Sequence, residues 1–261
     1  MKVLLCDAVK MESIRIWKLL KDARSHEYKV KEETITDIFV LALKKASSKG
    51  GFIVNTFTRP EEKMTGADWE IWIQGLLGGW VGVRVQAKII SIDGKRYDHL
   101  HYISKDGTVQ LNQLVADARR TQATPVYCLY SYWEKVSGIA AGWPCPSFSK
   151  NVKYFGAGIL SVSEVKALKA VNDRSLAGVV KHLKPLYCLF CCKGRGGKDL
   201  ADRVALYLRG MEFSTEGDGL LLIEPPNYVL EILEGNPEFD LVGIEDNNLR
   251  RVTVVREKGP E

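Results

Sequence analysis

Two neighbouring segments of this chain alternate with the period of a β-strand. In residues 67–74, Asp68, Glu70 and Trp72 take one face and Trp69, Ile71 and Ile73 the other. In residues 81–90, Arg84, Gln86 and Lys88 lie opposite Val83, Val85 and Ala87. The glycine-rich tract 75–79 between them reads as a hairpin connection. A hairpin sets the two strands side by side, so Asp68, Glu70, Gln86 and Lys88 converge on one face. Polar groups sit poorly inside a sheet unless they are paired or bind something. The fold must therefore contain a sheet with a polar cluster on it.

The surrounding elements can be read in the same way. Residues 11–23 pair Ile14, Trp17, Leu19 and Leu20 with charged neighbours, as in a short amphipathic helix, and 21–31 reads as a polar linker. A stronger helix spans 32–47, with Ile35, Ile38, Phe39, Ala42 and Ala46 as its apolar stripe. Glu33 and Asp37 share a separate polar face one turn apart. Residues 52–58 form a first strand. Asp106-Gly107 turns the chain into a helix over 109–120, and 125–133 is apolar enough for a central strand. Residues 32–133 thus run helix, three strands, helix, strand.

Beyond a Gly-, Pro- and Ser-rich loop at 137–151 come a strand at 156–161, a helix at 163–171 and an apolar run at 185–192. The last of these looks like 125–130, and both read as buried strands of one sheet. Helices near 199–208 and 228–233 and strands at 220–223 and 250–256 complete the pattern. The resulting α/β organisation has an N-terminal helical lead-in (1–31), a core (32–135) and a C-terminal α/β extension packed on the same sheet (136–261).

Composition excludes several classes. A chain of 261 residues buries roughly 70–75% of its extended surface, so it needs no disulfide or metal staple. With 46% hydrophobic residues it is too apolar for disorder. No apolar stretch approaches the roughly 18–20 residues of a membrane span, and the N-terminal apolar run is too short for a signal peptide. Cys128, Cys188, Cys191 and Cys192 sit in apolar runs and read as free thiols in strands. Cytoplasm is the expected compartment. The net charge of +5 is compatible with a polyanionic partner and does not demonstrate one.

The segments Gly66-Ala67-Asp68-Trp69-Glu70 and Val85-Gln86-Ala87-Lys88, in that element order, resemble the PD-(D/E)XK nuclease superfamily. Glutamine in the acid position of Gln-x-Lys is similar to its Mrr-like restriction branch. The same two segments also resemble an uncharacterised bacterial family over most of the chain. The resemblance implies a restriction-endonuclease-like core, a mixed central sheet flanked by helices, and hydrolysis of phosphodiester bonds with Mg²⁺ or Mn²⁺. It implies Asp68 as principal metal ligand, Gln86 at the metal site with the Ala87 carbonyl as a further ligand, Lys88 orienting the nucleophilic water, and Glu33 as auxiliary acid. A cytoplasmic bacterial DNA endonuclease in restriction or phage defence follows, with a homodimer or larger assembly to supply two active sites for a duplex.

Two departures stand out. No proline precedes Asp68, and Gln86 removes one negative charge. Glu70, two residues from Asp68 on the same face, is the residue that can restore it. Two other readings stay open. The polar face can be a solvated sheet face stabilised by a cross-strand Glu–Lys pair. The fold can also be a non-catalytic nucleic-acid-binding or interaction module, or serve an RNA- or repair-directed nuclease.

Other candidates are weaker. His99 and His101 lack the further ligands of a zinc site and read as polar residues beside a loop. Gln110, Gln113 and Asp117 line one side of the second helix, where Gln113 is a candidate nucleic-acid contact. Arg119-Arg120 complements that helix's dipole. The basic tract 193–198 fails the phosphate-loop pattern, because Cys192 and Asp199 stand where Gly and Ser or Thr belong. It reads as a turn whose Arg195 and Lys198 can meet a phosphate backbone. Cys145 carries no signature of a nucleophile.

Overall fold

Strand β3 (Trp80–Ile89) is buried along nearly its whole length, as a strand covered on both faces is, and the remaining elements are arranged around it. The computed structural model describes residues 4–58, 69–134, 151–191, 196–210, 221–235 and 251–259. Strand β2 (Trp69–Gln74) pairs antiparallel with β3 through a tight turn in which the Gly75 N–H donates to the Gly79 carbonyl. On the other side β4 (Thr124–Tyr130) runs parallel to β3. A parallel pair needs a crossover, and helix α3 (Gln110–Arg120) lies in it.

The sheet has seven strands in the order β1-β7-β2-β3-β4-β5-β6. Strands β5 (Ala157–Ser161) and β6 (Lys184–Pro185) extend it antiparallel beyond β4. At the far edge, β1 (Phe52–Thr58) pairs with β7 (Arg251–Glu257), and β7 runs parallel to β2. The whole is a mixed open α/β sheet with helices on both faces. Helix α2 (Glu32–Ser47) covers one face, its Phe39 ring edge-on to Trp69 with centroids 5.5 Å apart. On the opposite face lie α3 and α8 (Asn227–Glu234), the latter beside a cluster of Trp72, Trp80, Val252 and Val254.

Several elements agree with the sequence pattern and several correct it. Helix α2 and strand β1 have the expected bounds. Helix α1 spans Leu5–Ser25, well beyond residues 11–23, and takes up part of the expected linker. Its buried stripe of Leu5, Val9, Ile16 and Leu20 is interrupted by the buried polar Glu12 and Ser13, which hide the helical period. Ser13 satisfies itself by donating to the Val9 carbonyl at 2.9 Å. The expected strand at 220–223 is a single bridge between Leu222 and Trp80. Helices α4 (Val162–Ala170), α5 (Leu176–Val180) and α7 (Leu200–Gly210) fill the connections, and the 137–151 loop lies largely outside the described residues.

The run 185–192 is not a strand past Pro185. Cys188–Cys191 is a short helix, α6, because a short buried apolar run carries no periodicity to separate helix from strand. The expectation of no Cys-x-x-Cys pair is also wrong, since Cys188 and Cys191 have that spacing, although Cys191 pairs elsewhere. Cys191 is not a free thiol: it is bonded to Cys6 of α1, 185 residues away, with the two Cα atoms 5.2 Å apart. Cys128 and Cys188 are buried and not disulfide-bonded. A cross-link closing so long a loop restricts the unfolded chain, so Cys6→Ser is expected to lower the unfolding free energy by about 2–4 kcal/mol. Urea midpoints with and without a dithiol reductant check this: the reductant should shift the native protein and leave the variant unmoved.

Among the described residues, no helix is long and apolar enough to cross a membrane.

Candidate functional site

The β2–β3 register sets Trp69 against Val85 and Glu70 against Arg84. Alternation then places Glu70, Trp72, Arg84, Gln86 and Lys88 on one face of the sheet. Asp68 lies outside the described residues. The face is buried: Arg84 and Glu70 are inaccessible, Gln86 is 2% exposed and Lys88 5%.

Toward the middle of the hairpin this face is a closed ion network. Arg84 Nη1 donates to Glu70 Oε1 at 3.2 Å, and its Nη2 lies 3.6 Å from Asp117 Oδ2 on α3. Asp117 also takes Arg120 at 2.6 Å. Glu70 accepts three further hydrogen bonds: from Thr121 Oγ1 at 3.2 Å, from Trp72 Nε1 at 3.0 Å, and from the Tyr228 hydroxyl of α8. Burial first, and then the Glu70 carboxylate, push the Tyr228 hydroxyl far above its ordinary range, so it stays a protonated donor. The Trp72 ring reaches this position across Gly82, where a Cβ would come within 2.6 Å of it. Four donors therefore hold both Glu70 oxygens. Glu70 is the counter-ion of Arg84, and the role of restoring charge at a metal does not suit it. The cross-strand pair on this face is Glu–Arg, not Glu–Lys.

Toward the C-terminal end of β3 the surroundings differ. Gln86 and Lys88 lie in register with Tyr127 and Leu129 of β4. The Gln86 side-chain amide donates to the Ala87 carbonyl at 3.3 Å. On the opposite face, Thr36 of α2 bonds the Tyr130 hydroxyl at 2.7 Å, and Tyr130 is the register partner of Ile89. That contact fixes the first turns of α2 over the end of β3, and Glu33, half-buried, belongs to the first of them. One turn after Glu33, Asp37 Oδ1 receives Arg251 Nη2 at 2.6 Å from the start of β7. The polar side of α2 is thus tied to the sheet end where β2 begins and β3 finishes. The structure brings Gln86 and Lys88 together and sets Glu33 at the same end.

The remaining candidates are scattered. Gln113 is half-buried on α3, between the core residues Leu111 and Leu114. Lys198 is exposed, its backbone N–H donating to Asp202 at 2.9 Å. Arg195 and Cys145 lie outside the described residues. His99 is exposed, edge-on to Tyr102. Neither ring nitrogen of His101 has a hydrogen-bond partner among the described residues, and its pKa is lowered by burial and then by Arg174 and Lys169. No group of three or more His, Cys, Asp or Glu among the described residues is placed to hold a metal ion. Sequence reasoning missed the partners of Glu70. Arg84 was visible on the strand face, while nothing local to Thr121 or Tyr228 signals their part.

Neither a curated protein nor a solved structure matches the chain. The model of a family of unknown function (DUF6615) matches residues 5–261, and the chain belongs to that family.

Proposed function

We propose that this protein is a metal-dependent nuclease with a restriction-endonuclease-like core that hydrolyses phosphodiester bonds in DNA. The observation that carries the reading is the pairing of Gln86 and Lys88 on a buried sheet face, at the end where α2 presents Glu33. The order α2, β1, β2, β3, α3, β4 supports it. An ammonium group in so enclosed a position is expensive to bury without an anionic ligand or partner, and a phosphodiester is such a ligand.

The oxygen donors near this end fit a hard divalent cation such as Mg²⁺ or Mn²⁺. Glu33 and Asp68 would supply charge, with the Gln86 amide oxygen and the Ala87 carbonyl as neutral donors. When bound, the metal would polarise the phosphate and offset charge in the transition state. Lys88 Nζ would hold the attacking water in line with the scissile bond, and the low-dielectric walls of Tyr127 and Leu129 would strengthen that contact. The water would give up a proton to solvent as its oxygen bonds phosphorus, and the leaving oxygen would take up a proton as its bond to phosphorus breaks. Two such sites in a homodimer or larger assembly would cut both strands, and a bacterial restriction or phage-defence role in the cytoplasm suits that activity. The Cys6–Cys191 disulfide speaks against that compartment, where such pairs are kept reduced.

One observation favours a non-catalytic nucleic-acid-binding module instead: Glu70 is committed to Arg84, which leaves fewer acids for a metal. Supercoiled plasmid separates the two. Nicking that requires Mg²⁺ and falls to background in Asp68→Asn is the expected result. Binding without cutting would favour the module. RNA and branched DNA offered in the same assay define the substrate.

A further inference from the structure

Where β3 leaves the sheet, just past Lys88, a cleft of about 340 Å³ opens between the C-terminal half of α1, the segment after it and the loop 91–99. We propose that this cleft binds one nucleotide of the DNA strand adjacent to the scissile phosphate, a choice of ligand that rests on the nuclease reading.

Its floor is apolar, formed by Leu20, Val30, Ile89 and Ile90. Its rim carries Arg24, Lys29 and the exposed ring of Tyr28. The Arg24 guanidinium is held in place. It lies over the Tyr132 ring at 4.6 Å and donates to the Tyr132 carbonyl at 3.4 Å. On its other side is Gly94, at a left-handed φ of 69°, where a Cβ would collide with it. The backbone at Tyr28 is fixed too: its N–H donates to the Ala23 carbonyl at 2.8 Å, beyond Glu27 at φ 51°, an ending that closes a helix C-terminus.

The charges lining the cleft are mixed: Arg24, Lys29 and Arg96 stand against Asp93 and Asp98. Asp98 holds Arg96 at 2.6 Å, and Asp93 accepts from Ser91 Oγ and from the Lys95 N–H. Arg24 and Lys29 make no ion pair among the described residues, and they outweigh the one unpaired carboxylate of the cleft, Asp93, beside an apolar floor and an aromatic ring. Guanidinium and ammonium groups bind phosphate, an aromatic face stacks on a base, and the floor accommodates the sugar. A nucleotide supplies all three. Ile89 points to the face opposite Lys88, but Ile90, two residues past Lys88, also lines the cleft, and a strand advances about 3.3 Å per residue, so the cleft stands at the strand end within one or two nucleotides of the proposed scissile position.

Titration calorimetry of the intact protein with a 2′-deoxynucleoside 5′-monophosphate, without divalent metal, tests the assignment. Saturable binding is expected, with inorganic phosphate weaker. Both Arg24→Glu and the more exposed Lys29→Glu should weaken it about tenfold or more. No saturable binding to the unmodified protein, binding that both variants keep, or phosphate binding as tight as the nucleotide would overturn it. Plasmid cleavage in Mg²⁺ reads the nuclease proposal separately. Cleavage without nucleotide binding sinks the cleft alone, and nucleotide binding without cleavage sinks the nuclease and leaves the cleft as a nucleotide site.

Discussion

Replacing Lys88 with methionine is expected to lower Mg²⁺-dependent DNA cleavage by about 10²–10⁴-fold, the range for losing a positioned proton-handling group, while the protein stays folded. The two halves of this expectation have one cause. Lys88 is 5% exposed on a strand buried along nearly its whole length. A charge so enclosed adds little to the folded state, while a phosphodiester substrate would reward it. Methionine keeps the length of the side chain and removes the charge, so stability should hold within about 1 kcal/mol or rise. Lys88→Arg is expected to stay inactive, because a planar guanidinium does not fit a site shaped for an ammonium. Cleavage rates on plasmid, beside urea midpoints for the same proteins, decide the matter. Cleavage that survives Lys88→Met would remove this residue from the proposed mechanism.

Glu70→Ala is expected to have the opposite profile, a loss of stability before any loss of chemistry. Removal of Glu70 leaves Arg84, in a site with no solvent access, with the longer pair to Asp117 at 3.6 Å, which is shared with Arg120, and such breakages run to about 3–5 kcal/mol. In a chain of this size that lowers the melting temperature by about 10 °C. Part of the loss comes from Tyr228, Trp72 and Thr121, whose donors would lose their acceptor. The double substitution Glu70→Leu with Arg84→Met removes both charges and should recover much of the loss. Thermal melts of the single and double variants, compared as a mutant cycle, measure it. If the single substitution is mild and metal affinity collapses instead, Glu70 is a ligand after all.

The contrast between these two residues shows what a sequence can and cannot disclose. Glu70 and Lys88 stand on the same face of the sheet, on neighbouring strands, and alternation over a few residues was enough to place both there. The hairpin, helix α2 and strand β1 were equally visible, since each is defined by a local period or a turn. The distinct roles were not. Glu70 is held by Tyr228, 158 positions away, and the Trp72 ring that donates to it depends on the missing side chain of Gly82. Cys6 and Cys191 likewise meet only through the packing of α1 against α6. The α6 run misled for a different reason: four buried residues fit a helix and a strand equally well.

Strand β7 lies between β1 and β2, although it follows them by nearly two hundred residues. During synthesis β1 therefore has no neighbour, and the outer edge of β2 stays open, until residues 251–257 leave the ribosome. Pairings between such distant segments make folding slow and leave hydrophobic strand edges exposed meanwhile. The same placement delays the Asp37–Arg251 contact that ties α2 to the sheet end carrying Gln86 and Lys88. A nascent chain thus completes the supports of this site only after residues 251–257 have been made.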